Sequence, residues 1–473
     1  MSTIVLINQD TRGDKGNRFQ LPVGLGYIAR SLELNNVDYE IADLNVDSTE
    51  TLLKQMSQHR PSYVGFSMMS CKCERAYFFL AEVKRRFPTI TVIVGGTHVS
   101  ANRENVLKEC TAIDIGVVGE GEETIVEIVR GVALPEIRGL VYRNNDEICT
   151  SEARPFIADL DSVPFPTYEG FNLRNYSEYM RLDSSRGCPY QCIFCGAPRI
   201  LGRKWRARSA DSMFRELIYW YERGYRSFIF NDSNFAVSRD RVETFCKLVI
   251  ESRLNINFTV DGIRADHLTF ELLALMKRAG CNRLTIGVES GDDKVLGNLK
   301  KGETRVQIES AIRYATQLGL VVDLFFVLGS PGEGVVEVEH SFDLAKKYDV
   351  SRVSFFVLFP LPGTELYEWT VSQGYYKDDY WQGRYPEDDF SGSDIANFPT
   401  DKLTIKQLNH CIRKARNVEK QIWLRGQWKS ALHKYFGIEV SATKLNGLAW
   451  LGVHSGIGIP MLNGLVRFKE RFW

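Results

Sequence analysis

Two consecutive α/β units are expected from this sequence: a doubly wound parallel sheet, then a partial βα barrel, with a mainly helical region after them. Three observations lead there. Short Val-, Ile- and Tyr-rich runs alternate with amphipathic stretches over the first 150 residues. A polar, proline-bearing segment interrupts them. Six further apolar runs then alternate with helical patterns as far as residue 373. Strands buried on both faces read as near-continuous apolar runs, and strand–helix alternation is the pattern of a parallel sheet.

The first unit, residues 1–150, has candidate strands at Thr3–Ile7, Tyr39–Ala42, Tyr63–Phe66, Thr91–Val94 and Ile113–Val117. Helical stretches lie near Gly24–Leu34, Cys71–Phe87 and Arg103–Cys110. Such sheets bind ligands beyond the carboxyl ends of their strands. Those ends carry Asn8 to Arg18, Asp43, Ser67 to Ser70, Gly95-Gly96-Thr97-His98 and Gly119-Glu120-Gly121-Glu122. Glycine and small polar residues there let backbone approach a large ligand. Residues 151–176, with Pro155, Pro164 and Pro166, read as a linker.

The second unit, 177–373, has candidate strands at Tyr179–Ser184, Ser227–Phe230, Asn257–Val260, Arg283–Ile286, Val322–Leu328 and Arg352–Leu358. Six βα units are too few for a closed eight-stranded barrel. The remainder, 374–473, changes character. Tyr376 to Asp401 is acidic and aromatic, whereas Leu403 to Phe436 carries eight Lys/Arg against one acid, Glu419. Leu445 to Val466 then runs 22 positions without a charge, but five glycines and Pro460 make it a poor spanning helix. Two readings of this tail stand: a helical cap over the barrel mouth with a buried hairpin, and a basic, aromatic surface contact with a membrane.

Bulk composition narrows the function classes. Fifty-nine Lys and Arg balance 59 Asp and Glu, so the whole molecule is no obvious nucleic-acid binder. The start, MSTIVLINQD, lacks the features of a secretion signal. Ten cysteines then imply a reducing, cytoplasmic setting, where thiols bind metal or pack in cores. Cys71 and Cys73 form a C-x-C at an expected helix start. Cys110, Cys149, Cys246, Cys281 and Cys411 read as core or incidental residues.

The sharpest signal is Arg186-Gly-Cys188-Pro-Tyr-Gln-Cys192-Ile-Phe-Cys195-Gly, directly after the first strand of the second unit. Three thiolates within eight residues suit an iron–sulfur cluster. A cubane has four irons, so three cysteines leave one iron open to chelate a substrate. A structural zinc site wants four ligands, and no nearby Cys or suitably spaced His supplies the fourth.

This motif on a βα barrel resembles the radical S-adenosylmethionine (SAM) superfamily. Phe194 matches the aromatic that precedes the third cysteine. Further matching segments are Phe230-Asn-Asp232-Ser-Asn-Phe235, Ile286-Gly-Val-Glu289-Ser290-Gly291, Phe326-Val-Leu-Gly329-Ser-Pro331-Gly332-Glu333 and Phe359-Pro-Leu-Pro362-Gly363-Thr364-Glu365-Leu366. The resemblance implies a TIM-type partial barrel holding a [4Fe–4S] cluster on Cys188, Cys192 and Cys195. It implies SAM contacts from Phe194, Asp232, Glu289, Ser290 and Gly329, and Arg264 is a candidate partner of the SAM carboxylate. SAM would be cleaved to a 5′-deoxyadenosyl radical by an electron from a flavodoxin- or ferredoxin-type donor.

The first unit resembles the Rossmann-like cobalamin-binding domain that precedes the barrel in one branch of that superfamily. The matching residues are Leu21-Pro22-Val-Gly24-Leu-Gly26-Tyr27, Val64-Gly-Phe-Ser67, Val94-Gly95-Gly96-Thr-His98 and Val118-Gly119-Glu120-Gly121-Glu122. Pro22, Ser67, Gly95, Gly96, His98, Gly119 and Glu120 are the cobalamin contacts this implies. The D-x-H-x-x-G motif that supplies a histidine to cobalt is absent; the chain reads Asn8-Gln-Asp10-Thr-Arg-Gly13 there. The implied activity is methylation of an unactivated carbon or phosphorus of a small-molecule or lipid substrate. The alternative is a cobalamin-dependent radical cyclisation or ring rearrangement without methyl transfer. No RNA-binding module with a base-stacking platform is visible, so nucleic acid is not expected as substrate.

Overall fold

A computed structural model describes residues 3–9, 19–70, 73–375, 396, 398–436 and 445–446. The expectations for the loop at 10–18, for Cys71, for the acidic stretch at 376–395 and for the apolar segment beyond residue 446 lie outside the described residues.

The first sheet is built from β1 (Ile4–Asn8), β2 (Tyr39–Asp43), β3 (Tyr63–Ser67), β4 (Thr91–Gly95), β5 (Ile115–Val117), β6 (Leu140–Asn144) and β7 (Glu147–Thr150). Its strand order is β2-β1-β3-β4-β5-β6-β7. The first five strands are parallel, as their apolar runs predict. β6 and β7 add an antiparallel hairpin at the edge that the sequence reading missed. Its turn carries Asn145 in the left-handed region (φ 55°), which asparagine tolerates. Crossovers run through α1 (Val23–Leu34), α2 (Thr49–His59), α3 (Cys73–Arg86), α4 (Thr97–Asn102), α5 (Glu104–Glu109) and α6 (Glu122–Val129).

The second sheet contains β8 (Tyr179–Leu182); the chain then forms a two-residue antiparallel pair, β9 (Ser185–Arg186) with β10 (Arg206–Ala207). The sheet continues with β11 (Ser227–Phe230), β12 (Asn257–Ile263), β13 (Cys281–Glu289), β14 (Val321–Leu328) and β15 (Arg352–Val357). All six strands are parallel and lie in chain order, β8-β11-β12-β13-β14-β15, the open partial barrel expected. Alternation sorts their side chains. Met180, Leu182, Phe228, Phe230 and Phe258 share one core with residues of α8 (Ala210–Glu222) and α9 (Arg239–Glu251), two of the barrel helices that run from α7 (Ala197–Leu201) to α14 (Glu365–Ser372) in chain order. Arg181 and Asp183 alternate to the opposite face of their strand, where Arg181 approaches Asp261 of β12.

The long basic helix α15 (Ile405–Phe436) packs along the open edge of the sheet, against β15 and the barrel helix before it, while Leu408 near its start lies close to Gly329 at the end of β14. The edge strand β15 presents unpaired backbone groups, and the Phe355 N–H donates to Glu419 Oε1 (2.6 Å). The Phe355 carbonyl accepts from Arg416 Nη1 (2.9 Å), and Arg416 in turn pairs with Glu419. Covering an edge in this way blocks strand addition by another chain. Arg425, fully buried, donates to the carbonyls of Lys346 and Tyr348 at the end of the preceding barrel helix. Among the described residues no helix is long and apolar enough to cross a membrane.

The segment at 151–176 is more than a connector. Leu160, Tyr168, Phe171 and Tyr176 are buried in one core with Leu25 of α1, Ile128 of α6 and Trp220 of the second unit.

Candidate functional site

The carboxyl ends of both sheets open on one cavity of about 390 Å³. From the first sheet come Leu6, Gly65, Phe66, Ser67, Ile93, Gly95 and Val117, with the loops carrying Gly96 and Gly119 to Glu122. Gly24, Leu25, Tyr27 and Ile28 of α1 close one wall. Asp183, Ser185, Arg186, Ile200, Leu201, Asn231 and Ser233 complete it from the barrel. A second cavity of about 270 Å³, lined by Met69, Ser70, Thr97, Ala101, Gly196, Arg199 and Leu361, shares Thr97 and Ile200 with the first.

The floor suits a broad, flat, largely apolar ligand. A side-chain carbon at Gly24 would meet nothing within 4 Å, and one at Gly95 only Val117 at 3.9 Å. These positions are therefore glycine without needing to be for the fold, and larger side chains there would fill the cavity. Of the residues expected to touch cobalamin, Ser67, Gly95, Gly96, Gly119 and Glu120 line it, whereas Pro22 and His98 do not. His98 is buried, with Nε2 against Tyr77 Oη (2.9 Å) and Nδ1 near Ser70 Oγ (3.1 Å) and Asn102 Nδ2 (3.0 Å). Burial lowers its pKa to about 4. The expected corrin contact thus gives way to a neutral, structural imidazole.

The cysteine loop leaves β9 through Gly187, whose φ is +84° and where an added carbon would lie 2.4 Å from the Lys204 carbonyl; only glycine fits. The loop is held by backbone bonds from Cys188 N to the Gly202 carbonyl (3.1 Å), Ile193 N to Leu299 (3.1 Å) and Leu366 N to Ile193 (2.9 Å). Cys188, Cys192 and Cys195 are free thiols, each half-buried. Burial pushes the Cys192 thiol up to about 11, with the Lys301 ammonium pulling it back and Glu289 and Cys195 adding to the rise. A bound metal replaces those protons and removes that penalty. Among the described residues no three ligating side chains converge as on a single ion. Three thiols within eight residues suit a four-iron cluster, which takes one thiolate per iron.

A buried charge network stands behind the loop. Lys301 Nζ lies 3.1 Å from Glu289 Oε1 and 3.2 Å from Glu303 Oε2. Burial opposes the Lys301 charge, but Glu289 and Glu303 hold the ammonium well above its usual range. Glu289 adopts a left-handed backbone (φ 64°) at a register shift in β13, a strained conformation of the kind that gathers at functional sites. Arg264 differs from the expected SAM partner. Its guanidinium is occupied by both oxygens of Asp266 (3.0 and 2.8 Å) and the Lys301 carbonyl (2.6 Å), and it stacks 3.6 Å from the Tyr190 ring centre. It braces the loop from behind.

Asp232 is likewise committed: Oδ1 accepts from Ser184 N (3.0 Å) and Ser185 Oγ (2.6 Å), and Oδ2 from Ser184 Oγ (2.9 Å). Ser290 is fully buried, its hydroxyl accepting from Asp292 N. The Gly329 N–H donates to Glu333 Oε2 (2.7 Å). Phe194 packs with Phe359 against Leu358 and Val327.

Residues that the sequence reading did not assign a contact are Tyr27, Asp183, Arg186, Arg206 and Lys301. Asp183 lines the cavity with an oxygen shut from solvent and unbonded by any described residue. Burial, then the nearby Asp232, raises its pKa to about 7. Arg186 carried a signal, its place directly before Gly187 and Cys188, and so did Tyr27, which ends the motif that opens α1.

Comparison with known proteins agrees with this architecture. A B12 binding domain model matches residues 18–129, and a radical SAM superfamily model matches residues 182–345. An uncharacterized methyltransferase of Pyrococcus horikoshii is 31% identical over 362 residues, covering 74% of this chain and 78% of that one. The cytidylyl-2-hydroxyethylphosphonate methyltransferase of Streptomyces wedmorensis is 27% identical over 424 residues, covering 76% and 79%. The radical SAM methyltransferase TsrM of Kitasatospora setae superposes with a TM-score of 0.70 at 20% identity, over 79% of this chain and 76% of that one. At that identity the likeness bears on the fold alone.

Proposed function

The chain belongs to the cobalamin-dependent radical SAM enzymes, and from that premise we propose that it methylates an unactivated carbon or phosphorus of a small-molecule or lipid substrate. The observation that carries the reading is the cavity between the carboxyl ends of the two sheets, which the barrel lines with Asp183, Ser185 and Arg186, the last of them two residues before Cys188.

When bound, the cluster and SAM supply a 5′-deoxyadenosyl radical, and cobalamin supplies the methyl group to be transferred. The rest is the work of this chain. Cys188, Cys192 and Cys195 would hold the cluster, and Lys301 favours the Cys192 and Cys195 thiolates electrostatically. Glu289, Ser290, Gly329 and Phe194 border the SAM position, where Glu289 is already held in place by Lys301. Leu6, Phe66, Ile93 and Val117, with the glycines at the strand ends, receive the corrin and keep water from the reacting centre. The low-potential electron comes from a flavodoxin- or ferredoxin-type donor. Methyl transfer is preferred to cyclisation because the relatives reported above are named methyltransferases.

The test uses protein reconstituted anaerobically with iron, sulfide and hydroxocobalamin, reduced and given SAM. S-adenosylhomocysteine together with 5′-deoxyadenosine is the expected product pair. 5′-Deoxyadenosine alone, with cobalamin bound, would sink methyl transfer and favour cyclisation or rearrangement.

A further inference from the structure

Four charged side chains bridge the two halves of the molecule at the point where the cysteine loop begins. Glu120 follows β5 of the first sheet, and its Oε1 accepts from Arg186 Nη1 (2.9 Å) and Arg206 Nη1 (2.8 Å). Its Oε2 accepts from Arg206 Nη1 (2.9 Å) and the Ile157 N–H (2.7 Å). Glu122 Oε1 accepts from Arg186 Nη2 (2.6 Å). Arg186 lies over the Tyr27 ring of α1, 4.8 Å from its centre. Arg186 and Arg206 are directly paired residues of β9 and β10. All four side chains are 3–11% exposed.

A buried set of two acids and two arginines is poor glue. Desolvation consumes most of the attraction, and well-packed apolar residues would hold the halves together at least as firmly. What such a set does well is choose one arrangement, because any slip strands a charge in a dry interface. Here the selected register joins the loop that ends the corrin cavity to the residue two before Cys188. Glu120 was expected to touch cobalamin, yet its carboxylate is occupied by two guanidinium groups and an amide.

We propose that Glu120 and Arg186, with Glu122 and Arg206, are positioning residues that set the cluster loop against the cobalamin domain and so fix the separation of the two cofactors. The proposal rests on the two-cofactor reading above. Glu120, Glu122 and Arg186 also line the cavity, but their charged groups are spent on one another and on Arg206, and the clamp meets the cluster only through the chain leading to Cys188.

The experiment compares wild-type and Glu120→Gln full-length protein, each loaded with cluster and hydroxocobalamin and then reduced. Pulsed electron paramagnetic resonance reads the dipolar coupling between cob(II)alamin and the reduced cluster, while iron and cobalamin are counted in the same samples. Glu120→Gln is expected to bind both cofactors, with cobalamin affinity within about threefold of wild type, a change under 1 kcal/mol. Its distance distribution is expected to broaden. A distribution as narrow as wild type overturns the proposal. So does loss of cobalamin with the cluster intact, which would make Glu120 a ligand of the cofactor. Should Glu120→Gln not fold, Glu122→Gln removes one outer bond and is expected to broaden the same distribution; an unchanged one overturns the proposal equally. Wild-type protein that takes up the cluster but no cobalamin overturns the two-cofactor reading, and this proposal with it.

Discussion

At the scale of single residues, the site divides into side chains that meet a ligand and side chains that hold those in place. On the proposed function Cys192 belongs to the first kind. Cys192→Ala is expected to abolish cluster loading, read as loss of iron and of the charge-transfer absorption, while hydroxocobalamin still binds, since its cavity lies on other elements. A variant that keeps its full iron would refute the ligand assignment. His98 belongs to the second kind, and its burial has a pH signature. Its folded pKa of about 4 lies below the ordinary 6.5, so the unfolded chain binds the extra proton more readily. Stability is therefore unaffected above pH 6.5 and is lost as pH falls from there toward 4, by on the order of 3 kcal/mol. Urea titrations of wild type and His98→Gln between pH 7 and 4 check this: the variant should lose less stability over that window, and parallel curves would contradict it. His98 also shows where reading by motif stops. The Gly95-Gly96-Thr97-His98 signature places the backbone correctly, but only packing decides that the ring turns to Tyr77.

At the scale of elements, helix α1 and helix α15 illustrate what pattern conveys and what it omits. Gly24 of α1 faces the cavity with open space where its side chain would be. A mid-helix glycine costs roughly 0.5–1 kcal/mol relative to alanine, so Gly24→Leu is expected to leave the fold intact while weakening hydroxocobalamin binding at least about tenfold. Binding followed by absorbance checks it, and unchanged affinity would place the corrin elsewhere. The basic stretch that became α15 was legible as a helix. Its task was not, because that task exists only once β15 is the edge strand. Glu419→Ala leaves the buried Phe355 N–H without its partner and removes one partner of Arg416, and is expected to cost about 1–3 kcal/mol. It should also raise the tendency to aggregate through the opened edge, measured by light scattering after mild heating; a neutral variant would show that the helix covers the edge without bonding it. The parallel strands were readable because burial on both faces leaves continuous apolar runs. The β6–β7 hairpin was missed because it is short and polar on its exposed side.

At the scale of the whole molecule, the cysteine loop was legible because its spacing is local, whereas the ion cluster of Glu120 and Arg186 was not, its partners being 66 residues apart in the chain. The same limit applies to the segment at 151–176. Its prolines mark a boundary, yet its aromatic residues join what the boundary separates. Tyr168 is buried against Trp220 and Phe171 with a left-handed backbone (φ 54°), and Gly26 of α1 has room for no side chain because the Tyr168 ring would lie 2.6 Å away. A chain of two domains commonly unfolds in steps, each with its own core. Here the larger core runs unbroken from α1 and α6 through Tyr168 to the barrel helices. The two halves are thus expected to unfold as one unit, and Tyr168→Ala to destabilise both together by about 3–5 kcal/mol, the cost of deleting a buried aromatic side chain. Hydrogen exchange in denaturant separates the alternatives, with amides of β4 reporting the first sheet and amides of β12 the second. Equal loss of protection in both is the expected result. Loss confined to one sheet would mean that the halves are coupled only through the ion cluster, and that their relative placement rests on four charges rather than on a shared core.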